Sequence, residues 1–337
     1  MFLETMRTKM HGKGMRIVFP DGDDERTVKA AVSLIADEAL KPVLIVSDQG
    51  KLKRLAEEHR LNLEGIATII PGTDERLQSY TSIYYELRKH KGISREEAKQ
   101  KALRPNYFGA LMVRDGQADG MVSGLTSETK PFIPAFEVVK LREGFRRASS
   151  VFVLEWPERL LFFADCSVNI NPDAQTLSDI VHATAQTVRW FGHEPRIALL
   201  SYSTRDSAKG EAVDKVKQAT ALAKRDYPDV IIDGEIQFDA ALLPEVAQRK
   251  APDSPFCEKG ANVFIFPDLD SGNIAYKITE RLGRARATGP ILQGLNHPIN
   301  DLSRGCAAED IANVGVLTAA QAFIQKQTVT MATPSRP

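Results

Sequence analysis

Short apolar runs alternate with amphipathic stretches along most of the chain, a pattern that predicts parallel sheet covered by helices. After a short helix over residues 1–9, Arg16-Ile17-Val18-Phe19 reads as a buried strand closed by Pro20, and Asp21-Gly22-Asp23-Asp24 as a turn. A helix follows over 25–40, with Val28, Ala31, Val32 and Ile35 on its inner face. The same reasoning predicts a strand over 42–47 and helices over 51–59 and 76–90. Residues 109–113 and 120–122 read as two strands about an Asp115-Gly116 turn. Residues 151–154 and 160–164 read as a hairpin around Trp156-Pro157-Glu158-Arg159. Asn171-Pro172-Asp173 predicts a helix start, with Pro172 at the first helical position and the helix running over 177–191. Strand 197–201, helix 213–224, strand 230–233, a helix through 240–248, strand 261–266 and a helix over 273–282 continue the alternation. Pro290, Gly294 and Pro298 interrupt it, and Ile311, Val314, Leu317, Ala320 and Ile324 then mark a last helix. From Gln325 onward the chain reads as disordered trailing sequence.

The interruption is where the chemistry gathers. Ser303-Arg304-Gly305 stands just outside the N-terminus of the last helix, and Asp310 lies in its first turns. Unpaired N–H groups and the positive end of a helix dipole favour an anion there. Arg304 adds a planar fork for two phosphate oxygens, and Gly305 permits close approach of the backbone. An ordinary helix cap beside a surface arginine explains these residues equally well. The polar loop 201–210, with Ser203 and Thr204 at a strand's carboxyl end, reads as a wall of a phosphate pocket, although its glycine spacing is not that of a P-loop. Asp165, at another strand end, reads as a loop cap before it reads as a substrate ligand.

Asn300-Asp301-Leu302-Ser303-Arg304-Gly305-Cys306 followed by Glu309-Asp310-Ile311 resembles the signature of the phosphate acetyltransferases. The likeness extends back, in order, through Phe163-Ala164-Asp165-Cys166, Glu194-Pro195-Arg196, Ser201-Tyr202-Ser203-Thr204, Asp233-Gly234-Glu235, Lys250-Ala251-Pro252, Ala261-Asn262-Val263 and Gly272-Asn273-Ile274. The resemblance implies two α/β domains with mainly parallel sheets and an interdomain active-site cleft, an isocitrate/isopropylmalate dehydrogenase-like architecture. The domains would be residues 1–145 plus 299–337 and residues 146–298. It implies reversible acetyl transfer between CoA and inorganic phosphate, with coenzyme A as a substrate, no bound cofactor and a homodimer.

The resemblance also distributes roles. Arg304 would clamp phosphate and stabilise the oxyanion, Ser303 would hydrogen-bond the carbonyl, and Asp310 would accept the CoA thiol proton. An ordinary aspartate is a weak base for that step: reference pKa values of about 3.9 and about 8.5 make the transfer roughly 6 kcal/mol uphill. Arg88 and Arg281 would bind CoA, with Arg26 and Lys277 as weaker candidates; without the resemblance, Arg88 reads as a charge at a helix end, and Lys277 and Arg281 as a solvated face. Around residues 125–136 the chain departs from the family pattern. It lacks a histidine and the arginine before the Pro-Ala pair, where Ile133 precedes Pro134 and Lys130 is the nearest cation. A propionyl or butyryl group is therefore an alternative to acetyl, and a non-catalytic acetyl-CoA-sensing module an alternative of another class.

Composition narrows the field. A chain of 337 residues fits two domains of ordinary size. Equal numbers of basic and acidic residues, 44 each, give no global field for nucleic acid or an anionic membrane. Cys166, Cys257 and Cys306 are widely spaced, which suggests neither a disulfide framework nor a metal site and fits the cytoplasm. Cys306, beside an arginine near a helix start, offers a rival route through an acetyl-enzyme. No GxGxxG follows a predicted strand, which counts against a dinucleotide-dependent enzyme.

Overall fold

The computed structural model describes residues 1–125 and 132–332. The departure from the family pattern around Lys130 lies mostly outside that range, as do residues 333–337. The chain divides into two compact α/β units. One comprises Leu3–Glu143 with Leu295–Pro337; the other comprises Gly144–Gly294 with Met1–Phe2.

Strands β1 (Arg16–Phe19), β2 (Lys41–Ile45), β3 (Ala67–Ile69) and β4 (Gly120–Ser123) belong to the first unit. Strands β5 (Ser149–Trp156), β6 (Arg159–Ala164), β7 (Arg196–Leu200), β8 (Ile231–Ile236), β9 (Val263–Ile265) and β10 (Arg286–Gln293) belong to the second, and β11 (Ile299–Asp301) returns to the first. The first sheet, ordered β11-β4-β1-β2-β3, is parallel throughout. The second, β10-β5-β6-β9-β7-β8, joins an antiparallel β10-β5-β6 edge to a parallel β6-β9-β7-β8 half. Its predicted hairpin is the β5–β6 pair.

Several elements differ from the sequence reading, each for a physical reason. Pro105–Arg114 is a helix, not a strand. Residues 106–113 are buried on every side, so no polar stripe marks a helical period, and Pro105 at the first turn is the signal that remains. The helix Ala174–Trp190 is capped by Asp173, whose carboxylate accepts from Thr176 N at 2.7 Å, rather than by Asn171. Pro244 divides the predicted 240–248 helix into Phe238–Leu242 and Pro244–Lys250. The last helix runs Ala308–Ala332, well into the stretch expected to trail off. It is buried on all sides from Ile311 to Ala322.

The helix Glu25–Ala36 buries Thr27, Val28, Ala30, Ala31 and Leu34, a face rotated slightly from the predicted one. Asp165 is 3% exposed and takes backbone N–H groups of Ser150, Ser167, Val168 and Asn169 at 2.9–3.2 Å, so it is the loop cap that the sequence suggested. No described helix is long and apolar enough to cross a membrane.

Candidate active site

β11 and the last helix frame the segment 302–307. Asn300 is fully buried; its amide donates to Thr318 Oγ1 and Gln321 Oε1, each at 2.8 Å, and so ties the strand to the helix. Leu302 is buried at the strand's exit, while Ser303 and Arg304 turn outward and are exposed. Gly124, at the end of β4 with φ +139°, lies under this exit. A Cβ there would come within 2.9 Å of Leu302 N, so only glycine lets the strand end pass this close to the segment. At Gly305, by contrast, a Cβ would meet no atom within 4 Å, so packing within the chain does not call for glycine.

Arg26 holds the segment from below. Its Nε and Nη2 donate to the two oxygens of Asp24 at 2.9 and 2.8 Å, the paired geometry that orients a guanidinium. Its Nη1 then donates to the carbonyls of Arg304 at 2.8 Å and Cys306 at 3.0 Å. Arg26 is thus brought to the site as a scaffold for residues 304–306. Its hydrogen bond to Arg26, ahead of its partial burial, holds the Asp24 carboxyl below the usual carboxylate range.

Asp310 is half-buried in the first turn of the last helix, and its Oδ2 accepts from Ala307 N at 2.8 Å. That bond satisfies one donor at the helix start and fixes the carboxylate beside the segment. Burial, and then the negative charge of Asp310, push the Cys306 thiol up to about 11, with Arg26 opposing. A reactive cysteine requires the opposite shift, which weighs against the acetyl-enzyme route through Cys306.

The other predicted site residues fall elsewhere. Arg88, at the end of the helix Leu77–Arg88, pairs with Glu137 at 3.0 Å. Glu137 Oε2 also accepts from the hydroxyls of Tyr84 at 2.7 Å and Tyr107 at 2.9 Å, and this network was not legible in the sequence. In the second unit, Lys277 Nζ contacts Asn273 Oδ1 at 2.5 Å and lies over the Tyr276 ring. Arg281 is largely exposed, with Glu280 3.5 Å away. Ser203 is fully buried and donates to Glu235 Oε1 at 3.0 Å, and Thr204 accepts from Gln237 N at 2.9 Å. Both hydroxyls therefore help to satisfy the buried polar groups of loop 201–210 and its neighbours.

Ser303 and Arg304 are thus exposed, and Asp310 is anchored in the first turn of the helix that follows them. The chain matches the family model for phosphate acetyl/butaryl transferases over residues 1–319. It belongs to that family.

Among its relatives is a phosphate acetyltransferase of Bacillus subtilis (strain 168), 45% identical over 321 residues, covering 95% of this chain and 98% of the relative. Among solved structures, the EutD phosphotransacetylase from Staphylococcus aureus is similar at TM-score 0.88 and 41% identity, covering 95% of this chain and 98% of that one. A phosphotransacetylase from Streptococcus pyogenes is similar at TM-score 0.89 and 43% identity, covering 96% and 98%. The family is one of acyltransferases, so the chain is an enzyme and the reading as a sensing module is not carried further.

Proposed function

We propose that Ser303, Arg304 and Asp310 carry the reaction of this chain, which is phosphate acetyl transfer: acetyl-CoA + phosphate ⇌ acetyl phosphate + CoA. The observation that carries the assignment is the Arg26 scaffold, which presents an exposed Ser303-Arg304-Gly305 next to the anchored Asp310. Direct attack needs an acceptor for the thiol proton, a clamp on phosphate and stabilisation of the tetrahedral oxyanion. Asp310 accepts the proton of the CoA thiol. The thiolate attacks the acetyl carbonyl carbon, whose oxygen takes the Ser303 hydroxyl hydrogen bond and the Arg304 charge. The intermediate collapses with cleavage of the bond to the phosphate oxygen, and phosphate leaves against Arg304. In the other direction, phosphate is the nucleophile and CoA the leaving group.

For the phosphates of CoA the candidates are Arg88, Lys277 and Arg281. Arg281 is largely exposed, whereas binding through Arg88 requires sharing its Glu137 partner. Arg26 supports the loop and is not a direct ligand. The acyl group is acetyl in the named relatives; propionyl or butyryl is the second reading, favoured by the altered sequence around residues 125–136. The test is a rate assay of CoA acylation with acetyl, propionyl and butyryl phosphate. Acetyl phosphate should give the highest kcat/KM, initial-rate lines should intersect, and Cys306→Ser should retain wild-type turnover. Parallel lines and an inactive Cys306→Ser would replace direct attack with an acetyl-enzyme.

The same proposal includes a homodimer. Ile274, Ile278 and Leu282, at i, i+4 and i+8 of the helix Leu269–Arg281 and its cap, are 56%, 52% and 81% exposed. Three large apolar side chains in one stripe are costly to leave in water and suit a second copy of the chain. Ile278→Asp should shift sedimentation from dimer to monomer; an unchanged dimer would place the interface elsewhere. A cytoplasmic location fits the three free cysteines.

A further inference from the structure

The turn that leads to Arg26 has a second arm. Residues 21–24 leave the carboxyl end of β1 and are tied to β2 by contacts that do not involve the Asp21 side chain. Gly22 N donates to Ile45 O at 3.1 Å, and a Cβ on Gly22 would collide with that oxygen. Asp24 N donates to Asp21 O at 3.1 Å, and the Asp23 carboxylate accepts from Ser47 N, just past β2, at 3.1 Å. The turn therefore has its own supports.

The Asp21 carboxylate points the other way, to the end of β4. Its Oδ2 accepts from Ser123 Oγ at 2.9 Å, Gly124 N at 3.0 Å and Leu125 N at 3.4 Å. Asp21 is 6% exposed and Ser123 fully buried, and Ser123 Oγ also lies 2.9 Å from the Asn106 amide. Burying a carboxylate is costly, and donors converging on one of its oxygens offset that cost. An aspartate that only closes its own turn accepts from a residue two or three places on, as Asp24 does from Arg26 N. Asp21 uses its acceptor on another strand.

That strand end is where the segment 302–307 rests. In the first sheet β2 and β3 lie on one side of β1, and β4 and β11 on the other, so the chain switches direction between β1 and β4. Open parallel sheets hold their ligands outside the carboxyl ends of the strands at such a point. Asp21 bridges it. Gly124 lies so close under Leu302 that only glycine fits, so a shift of residues 123–125 is passed on to Leu302 and Ser303. Through Arg26 the same turn holds the carbonyls of Arg304 and Cys306.

We propose that Asp21 is a positioning residue for the acetyl transfer assigned to residues 303–310, a role that rests on that assignment. Its carboxylate ties the end of β4 to the turn that leads to Arg26, and the two arms together set the place and direction of Ser303 and Arg304. Without it, Gly124 and Leu125 lose their acceptor and the support under Leu302 relaxes. The Ser303 hydroxyl and the Arg304 guanidinium then no longer converge on the reacting carbonyl. Asp21 touches no substrate, so turnover suffers rather than affinity for CoA.

In the full chain, Asp21→Ala is expected to lower kcat for CoA acetylation from acetyl phosphate by about 10–10²-fold, the cost of an ångström-scale misplacement. Its KM for CoA should change by less than about twofold. Ser123→Ala, a smaller change that carries the same test should Asp21→Ala not fold, should lower kcat by about tenfold. Asp21→Asn keeps an oxygen for Gly124 N and should recover most of the turnover lost in Asp21→Ala. In an Arg304→Ala background, Asp21→Ala and Ser123→Ala should each cost about twofold at most, because the group they position is gone. A mere loss of folded protein would lower the rate by the same factor in both backgrounds. Wild-type kcat in both alanine variants, equal losses with and without Arg304, a loss confined to the KM for CoA, or an Asp21→Asn as slow as Asp21→Ala would overturn the positioning role. Wild-type turnover in the single variant Arg304→Ala would instead overturn the catalytic assignment, and shows separately.

Discussion

Arg304→Ala is expected to lower kcat/KM for CoA acetylation by about 10²–10³, the usual cost of removing one preorganised donor to an oxyanion. The side chain is exposed, so the fold should be little affected. The backbone carbonyl that Arg26 holds is also preserved in the variant, which keeps the segment in place. Arg304→Lys should recover part of the loss at most. An ammonium restores a charge but not the paired donors that grip two phosphate oxygens. A variant that loses affinity for phosphate or acetyl phosphate with kcat intact would leave Arg304 a binding residue alone.

Asp310→Asn is expected to reduce kcat by about 10²–10⁴ while changing the KM for CoA far less, as removal of a general base does. Asparagine is chosen because its carbonyl oxygen can still accept from Ala307 N, so the helix start survives and the proton acceptor alone is lost. The sign of the pH effect follows. Raising the pH ionises more of the CoA thiol and makes the base less necessary, so the rate of Asp310→Asn should climb towards wild type as pH rises through about 8.5. A kcat for Asp310→Asn close to wild type at neutral pH would remove the base role.

What the sequence disclosed follows from the range of each signal. The strand–helix alternation was legible because Ile17-Val18-Phe19 and similar runs are local and bounded by turns. The Pro105–Arg114 helix was not, since burial all round removes the polar face that periodicity detects. β10 and β11 were hidden by their prolines. Pro290 is tolerated because β10 is an edge strand whose register shifts between Thr288 and Ile291, and Pro298 stands just before β11. The proposed site residues Ser303, Arg304 and Asp310 lie close enough in sequence to be read as one motif. The Arg26 contacts to 304 and 306 span about 280 positions, and the Glu137 network joins three separate helical segments, so no local pattern announces either. Hydroxyls such as those of Ser203 and Thr204 at a strand end look alike in sequence whether they face a ligand or close their own loop.

Both expected effects derive from the arrangement proposed above, a guanidinium and a carboxylate serving one transfer, the carboxylate its proton and the guanidinium its developing charge. The double-mutant cycle of Arg304→Ala and Asp310→Asn in kcat/KM measures that directly. If the thiolate that Asp310 generates is useful only where Arg304 stabilises its product, the double variant should be about as slow as the slower single variant. Fully additive losses would mean that the two side chains act independently, and the account of a shared site at residues 303–310 would fail.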